Sequence, residues 1–313
     1  MAFACVFPGQ GSQKVGMLSS FVGSGPEIME TFQEASDWLT YDLWKLTQEG
    51  PEATLDQTEF TQPALLAADV AMYRVLQKQV NLQPQFLAGH SLGEYAALVC
   101  GDALLFKDAV RLVQQRARRM QATQPLGNGG MAVIIGLDEA AVTVLCEEVS
   151  RGESLDLANF NAPGQIVIAG HTAAVQRAVV LAERMGARLA KILPVSVPCH
   201  CRLLTEAAEQ FAADLKEIEI SAPKIPILHN AELNILNSPE EIRTSLQKQL
   251  YHPVRWTETI QWLVKAGVRL FVECGPGTVL TGLNKRIDKT VKCQDLNSPN
   301  ALYTLEAYIH QER

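Results

Sequence analysis

The run Phe86-Leu87-Ala88-Gly89-His90-Ser91-Leu92-Gly93 constrains this chain more than any other stretch. A short apolar segment that can be a strand enters a Gly-x-Ser-x-Gly pattern, and Glu94 to Val99 leaves it as a helix. That is the signature of a nucleophile elbow, in which a serine sits on a sharp strand-to-helix turn. The glycines allow a turn that a Cβ would obstruct. Ser91 would then stand at the end of a sheet, with the helix N-terminus facing any negative charge formed beside it. The plainer alternative is a tight glycine turn whose serine only caps the helix.

The rest of the chain supplies a sheet for such a turn. Residues 2–7 read as a buried strand ending at Pro8-Gly9-Gln10-Gly11, and helices are predicted at 25–38, 62–79 and 106–123. The cluster Gly127-Asn128-Gly129-Gly130 then marks a boundary. Beyond it the pattern is strand 131–135, helix 138–151, strands 155–160 and 165–169 across Asn161-Ala162-Pro163-Gly164, helix 171–186 and strand 188–195. This βαββαβ order is the ferredoxin-like plan. The first pattern resumes with helix 200–217, strand 225–229, helices 239–250 and 256–266, strand 270–273 and a last helix near 278–287. The expectation is an α/β fold. Residues 1–127 and 197–313 form one discontinuous domain around a largely parallel sheet, and 128–196 form a small inserted subdomain. A cleft at their junction is the natural place for a ligand.

Composition narrows the function classes. Charged residues are 19% and the net charge is −7, which argues against nucleic-acid binding. Seven cysteines scattered from Cys5 to Cys293 are not a disulfide framework and read as reduced thiols in a cytoplasmic protein. No apolar run is long enough for a membrane span. The segment from Met1 to Phe7 lacks a basic region and reads as a strand rather than a signal peptide.

A nucleophilic serine needs a base, and six histidines are available. His90 adjoins Ser91, so its side chain should point elsewhere. His200 follows Val195-Ser196-Val197-Pro198, where the chain leaves the small subdomain, and so falls at the predicted cleft. Cys199-His200-Cys201 is not read as a metal site, because no second Cys or His cluster offers matching ligands. On the helix at 106–123, Leu105, Ala109, Leu112, Val113 and Met120 form an apolar stripe, and Arg116 lies on it. A guanidinium there is costly unless paired. It is either held by a protein acid, or snorkelling outward, or it binds a substrate carboxylate.

Five blocks together carry a resemblance: Phe7-Pro8-Gly9-Gln10-Gly11-Ser12-Gln13, Gly89 to Tyr95, Gln115-Arg116, Ser196-Val197-Pro198-Cys199-His200 and Gly275-Pro276-Gly277. In this order the chain resembles the malonyl-CoA:acyl carrier protein transacylases of bacterial type-II fatty-acid synthesis. The resemblance implies a hydrolase-like α/β domain with a ferredoxin-like insertion. It also implies Ser91 as nucleophile, His200 as base, and the backbone amides of Gln10 and Leu92 as oxyanion hole. Arg116 would bind the malonyl carboxylate, the Gln249 carbonyl would orient His200, and Gln62 and Asn161 would line the pocket. No metal or redox cofactor is implied. The partners would be malonyl-CoA and an acidic acyl carrier protein. That partner would dock at Lys285, Arg286, Lys289 and Lys292 or at Arg184, Arg188 and Lys191. Cys199 stands where the family usually has serine.

Three rivals remain at this point. A serine esterase or thioesterase would use the same Ser91 but pass the acyl group to water. A binding module would have a dead site. A methylmalonyl-type transferase would differ only in pocket size.

Overall fold

The structure is a computed structural model and describes residues 2–80, 83–123, 127–195 and 197–311. The first part of the chain contains β1 (Phe3–Phe7), α1 (Glu27–Trp38), α2 (Leu43–Glu49), α3 (Glu52–Leu55), α4 (Thr58–Val80), β2 (Phe86–Gly89), α5 (Gly93–Cys100) and α6 (Phe106–Ala122). Next come β3 (Gly129–Ile135), α7 (Glu139–Ser150), β4 (Leu155–Ala162), β5 (Gln165–His171), α8 (Thr172–Arg184) and β6 (Leu189–Ile192). The chain continues with α9 (Thr205–Lys216), β7 (Ile227–Leu228), α10 (Pro239–Gln249), α11 (Trp256–Lys265), β8 (Leu270–Glu273), α12 (Val279–Ile287), β9 (Lys292–Asp295) and α13 (Pro299–Gln311).

Five strands make a parallel sheet in the order β7–β2–β1–β8–β9. Four make an antiparallel sheet in the order β4–β5–β3–β6, the arrangement of a ferredoxin-like unit. Both sheets of the expected α/β architecture are therefore present. Strand β1 explains why the parallel sheet reads as unbroken apolar sequence. Phe3, Cys5 and Phe7 enter one core, and Ala4 and Val6 enter another on the opposite face. The antiparallel sheet has its own core, with Ile134 and Ile168 packed under Val142, Leu145, Val175 and Ala178 of α7 and α8.

Several boundaries differ from the sequence reading. Helix α4 begins at Thr58, four residues before the expected start, and carries Pro63 inside it. The strand read at Phe86-Leu87-Ala88 extends to Gly89, and Ser91 turns into the left-handed region as the elbow requires. The strand at 225–229 pairs only over Ile227–Leu228, and that at 188–195 only over Leu189–Ile192. The helix at 279–287 is not the last element. Polar Lys292–Asp295 adds an edge strand to the parallel sheet, and α13 packs behind it. The predicted boundaries at 127/128 and 196/197 adjoin Gln124, Pro125, Leu126 and Ser196, which lie outside the described residues.

One buried group works against the fold. Asp69 on α4 is fully buried, and neither carboxyl oxygen has a hydrogen-bond partner among the described residues. Burial holds its pKa well above the ordinary carboxylate value. The folded state therefore binds this proton more tightly than the unfolded chain, and stability falls as pH rises from about 4 towards the folded pKa. Asp69→Ala is expected to raise unfolding free energy by about 1–3 kcal/mol at pH 8, with a smaller gain at pH 5. Urea titrations at the two pH values test this, and an equal gain at both would contradict it.

Candidate active site

The elbow forms as the sequence suggests, for a local steric reason. A Cβ on Gly89 would lie 1.9 Å from the Gly93 carbonyl carbon, and one on Gly93 would lie 2.1 Å from the Phe7 carbonyl oxygen. With both side chains absent, Ser91 adopts φ 53°, a left-handed conformation that costs a non-glycine residue about 1–2 kcal/mol. Such strain is commonly stored where function needs it. It lifts the Ser91 hydroxyl off the ends of β1 and β2.

His200 meets it. Its Nε2 lies 2.7 Å from Ser91 Oγ, and its Nδ1 lies 2.7 Å from the Gln249 carbonyl oxygen. A carbonyl only accepts, so Nδ1 carries the hydrogen and Nε2 offers a lone pair to the serine hydroxyl. Burial, reinforced by the nearby Arg116 charge, lowers the His200 pKa to about 3. The imidazole is thus neutral and ready to accept a proton across the physiological range. Acylation of Ser91 should accordingly stay flat from pH 8 to about pH 4 rather than halve near 6.5. Single-turnover rates across that range would show it, and a half-loss near 6.5 would refute it.

The N–H groups of Gln10 and Leu92 donate to no atom among the described residues. Gln10 follows β1, Leu92 precedes α5, and both line the cavity that holds Ser91. Two unengaged amides beside a serine–imidazole pair suit an oxyanion.

Arg116 is 1% exposed and has no carboxylate partner among the described residues. Its Nη1 donates to Gln62 Oε1 at 3.0 Å and its Nη2 to Gln249 Oε1 at 2.9 Å. Nη2 also approaches Ser91 Oγ at 3.4 Å, while Nε has no hydrogen-bond partner among the described residues. The ion pair with a protein acid that the sequence left open is absent at this residue. Neutral amide oxygens hold the guanidinium without cancelling its charge. Leu105, read as part of the same stripe, is instead 56% exposed, because it precedes the helix rather than lying on it.

The cavity is small, about 100 Å³, room for several water-sized groups and so for a short acyl chain. Its walls include Met131, Asn159, Leu193, Val195 and Cys199. Gln62 takes its expected place there. Asn161 does not. Its Oδ1 meets the Nε2 of the lining residue His90 at 2.8 Å, and Asn159 takes the lining position. Irregular pairing of β4 with β5 between Leu157 and Asn159, and again between Phe160 and Ala162, disturbs the simple alternation of faces. His90 turns away from Ser91 as expected, yet it too lines the cavity, and its ring packs on Trp256 at 5.6 Å. Burial pushes the Cys199 pKa up to about 11, so this residue is a thiol at neutral pH.

A family model described as "Acyl transferase domain" matches residues 4–302. The malonyl CoA-acyl carrier protein transacylase of Escherichia coli (strain K12) is 50% identical over 300 residues, 96% of this chain and 97% of that protein. The chain belongs to the malonyl CoA-acyl carrier protein transacylase family. The Haemophilus influenzae transacylase is 49% identical over 98% of this chain and 99% of its own. The solved transacylase of Coxiella burnetii has a TM-score of 0.97 at 48% identity, covering 98% of this chain and 97% of that one. A malonyl-transacylase solved in complex with a holo type II PKS acyl-carrier protein gives 0.97 at 48% identity, over 98% of this chain and 100% of its own.

In this transacylase family member, sequence reasoning passed over the polar groups beneath the elbow. Asn230 Oδ1 accepts from the Ser91 N–H at 2.8 Å, and its Nδ2 donates to the Gly89 carbonyl at 2.7 Å. The available signal was His229-Asn230, a polar pair at the carboxyl end of a parallel strand, where α/β proteins commonly build sites.

Proposed function

We propose that this chain transfers a malonyl group from malonyl-CoA to the phosphopantetheine thiol of an acyl carrier protein. The transfer passes through a malonyl ester on Ser91 and supplies fatty-acid elongation. The observation that carries this reading is a buried, carboxylate-free Arg116 within 3.4 Å of a serine already bonded to a neutral imidazole.

Ser91 Oγ attacks the thioester carbonyl carbon as its proton passes to His200 Nε2. The carbonyl oxygen becomes an oxyanion facing the Gln10 and Leu92 amides. Collapse breaks the carbon–sulfur bond, and the proton on His200 leaves with coenzyme A. The pantetheine thiol then gives its proton to His200 and attacks the ester, and the same steps run in reverse. The Gln249 carbonyl holds His200 in one tautomer in place of the acid of a triad. Arg116 binds the free malonyl carboxylate, two bonds from the reacting carbonyl. None of these steps routes through a metal or redox cofactor.

The division into 1–127 with 197–313 and 128–196 gives the cavity two sides. Ser91, Arg116 and His200 belong to the larger part, and Met131, Asn159, Leu193 and Val195 to the insertion. The cysteines stand as free thiols, which suits a reducing cytoplasm. Among the described residues no helix is long and apolar enough to cross a membrane.

One residue of each basic set reaches the same end of the small sheet. Ile135 of β3 pairs with Gln165 on one side and Leu189 on the other, and Arg286 Nη1 donates to Gln165 Oε1. Arg188, whose N–H donates to the Ile135 carbonyl, thus shares one end of the small sheet with Arg286. That end lies four residues, roughly 13 Å, along β3 from the cavity wall at Met131. Lys292 instead sits over the Tyr308 ring. We place the acidic carrier protein at this shared rim. Arg188→Glu with Arg286→Glu should raise the KM for carrier protein about tenfold and leave Ser91 acylation by malonyl-CoA unchanged. An unchanged KM would move the docking site elsewhere.

The experiment for the activity itself is intact mass after mixing with malonyl-CoA or acetyl-CoA, followed by added carrier protein. A malonyl adduct discharged by the carrier is expected. Steady release of free malonate without carrier would indicate a hydrolase instead.

A further inference from the structure

Glu94, the first residue after Gly93 of the elbow, is fully buried and is not assigned a role in the chemistry above. Its carboxylate gathers two side chains and one backbone N–H from distant parts of the chain. Oε2 accepts from the Asn230 N–H at 3.0 Å and from Gln249 Nε2 at 2.9 Å, and Oε1 meets His229 Nδ1 at 2.8 Å. Both Asn230 and Gln249 then hold the elbow. Asn230 bonds the Ser91 N–H and the Gly89 carbonyl, and Gln249 Nε2 donates to the Ser91 carbonyl at 3.0 Å.

The chemistry of the partners fixes the orientation of the Gln249 amide. A carboxylate only accepts and a guanidinium only donates. Gln249 lies between Glu94 and Arg116, so its NH2 must face Glu94 and its Oε1 must face Arg116. The same residue's backbone carbonyl holds His200. Gln249 also keeps the two charges one side chain apart, so Glu94 does not occupy Arg116 as a direct ion pair would.

We infer that Glu94 is a positioning residue that sets the resting geometry of Ser91 and Arg116 together, through Asn230 and Gln249. This rests on the function proposed above. It concerns selectivity as well as rate, because Arg116 serves only substrates that carry a carboxylate.

The test compares Glu94→Ala and Glu94→Gln with wild type, at a temperature where melting curves show all three folded. Single-turnover kcat/KM is read for malonyl-CoA and acetyl-CoA. Glu94→Ala is expected to lower the malonyl value about 100-fold, the scale of an ångström-sized misplacement. It should lower the acetyl value about tenfold, so that the malonyl preference drops about tenfold. Glu94→Gln should restore that preference to within about threefold. Its amide oxygen can accept from Asn230 and Gln249, and its NH2 can meet Nδ1 of the other His229 tautomer. That change of tautomer breaks no other bond, since His229 Nε2 has no partner among the described residues. Equal losses for both substrates in Glu94→Ala would reduce Glu94 to general packing and overturn the inference. So would a Gln variant that behaves as the Ala variant does. A wild-type protein that forms no malonyl adduct would instead refute the proposed function, and this inference with it.

Discussion

Ser91→Ala leaves no acyl adduct and slows transfer by at least about 10⁴-fold, the scale on which enzymes lose activity when a nucleophile is deleted. The size follows from the geometry. Among the described residues only Ser91 presents an oxygen to His200 Nε2, so without it the imidazole has no side-chain nucleophile to deprotonate and no acyl-enzyme can form. The fold should survive, because the elbow is held by backbone atoms. The Ser91 N–H bonds Asn230 and its carbonyl bonds Gln249, and alanine keeps both. Ser91→Gly should be equally inactive yet more stable by about 1 kcal/mol, since glycine tolerates φ 53° freely. Intact mass after exposure to malonyl-CoA, alongside thermal melting, reads both effects. Normal turnover by either variant would mean direct transfer between thioesters and would end the covalent mechanism. A stable adduct on Ser91→Ala would place the nucleophile elsewhere, with Cys199, a thiol that lines the cavity, the first to consider.

What could be read from the sequence was what local sterics and periodicity control. The elbow needs only a strand, two glycines and a helix within a dozen residues. The βαββαβ unit announces itself by its alternation of periods. Arg116 was flagged by a helical stripe of apolar neighbours, and it is buried on that stripe. Its partners were not legible, because Gln62 and Gln249 lie 54 and 133 positions away and no local pattern links them. The same holds for Glu94 and Asn230, which meet across 136 positions. Asn161 was misplaced relative to Asn159 because irregular strand pairing is a property of two strands at once. Strand β9 was missed because a polar edge strand shows no apolar alternation.

Arg116→Ala should cut kcat/KM for malonyl-CoA roughly 30- to 4,000-fold while changing acetyl-CoA little. The range corresponds to about 2–5 kcal/mol, the cost of leaving one member of a buried charge pair without its partner. In the wild type the guanidinium is already desolvated and already oriented by two amide oxygens. A malonyl carboxylate therefore gains a charge-assisted pair at little ordering cost, whereas an acetyl group leaves the charge as it found it. The variant loses that difference and also frees the Gln62 and Gln249 oxygens, which water can then satisfy. His200 should respond as well. Arg116 contributes to holding its pKa down, so removing that charge moves the imidazole pKa upward and brings the acid limb of the acetyl profile to higher pH. Arg116→Lys would keep the charge but not the planar fork, so it cannot hold both amides and a carboxylate together. Its malonyl preference should fall between wild type and Ala. Single-turnover rates for both thioesters, measured from about pH 2 to pH 8 so that the wild-type limb near 3 is included, give the selectivity and the limb in one data set. An equal loss for malonyl and acetyl would show that Arg116 supports the site without reading the carboxylate. An unmoved acid limb would show that its charge does not reach His200.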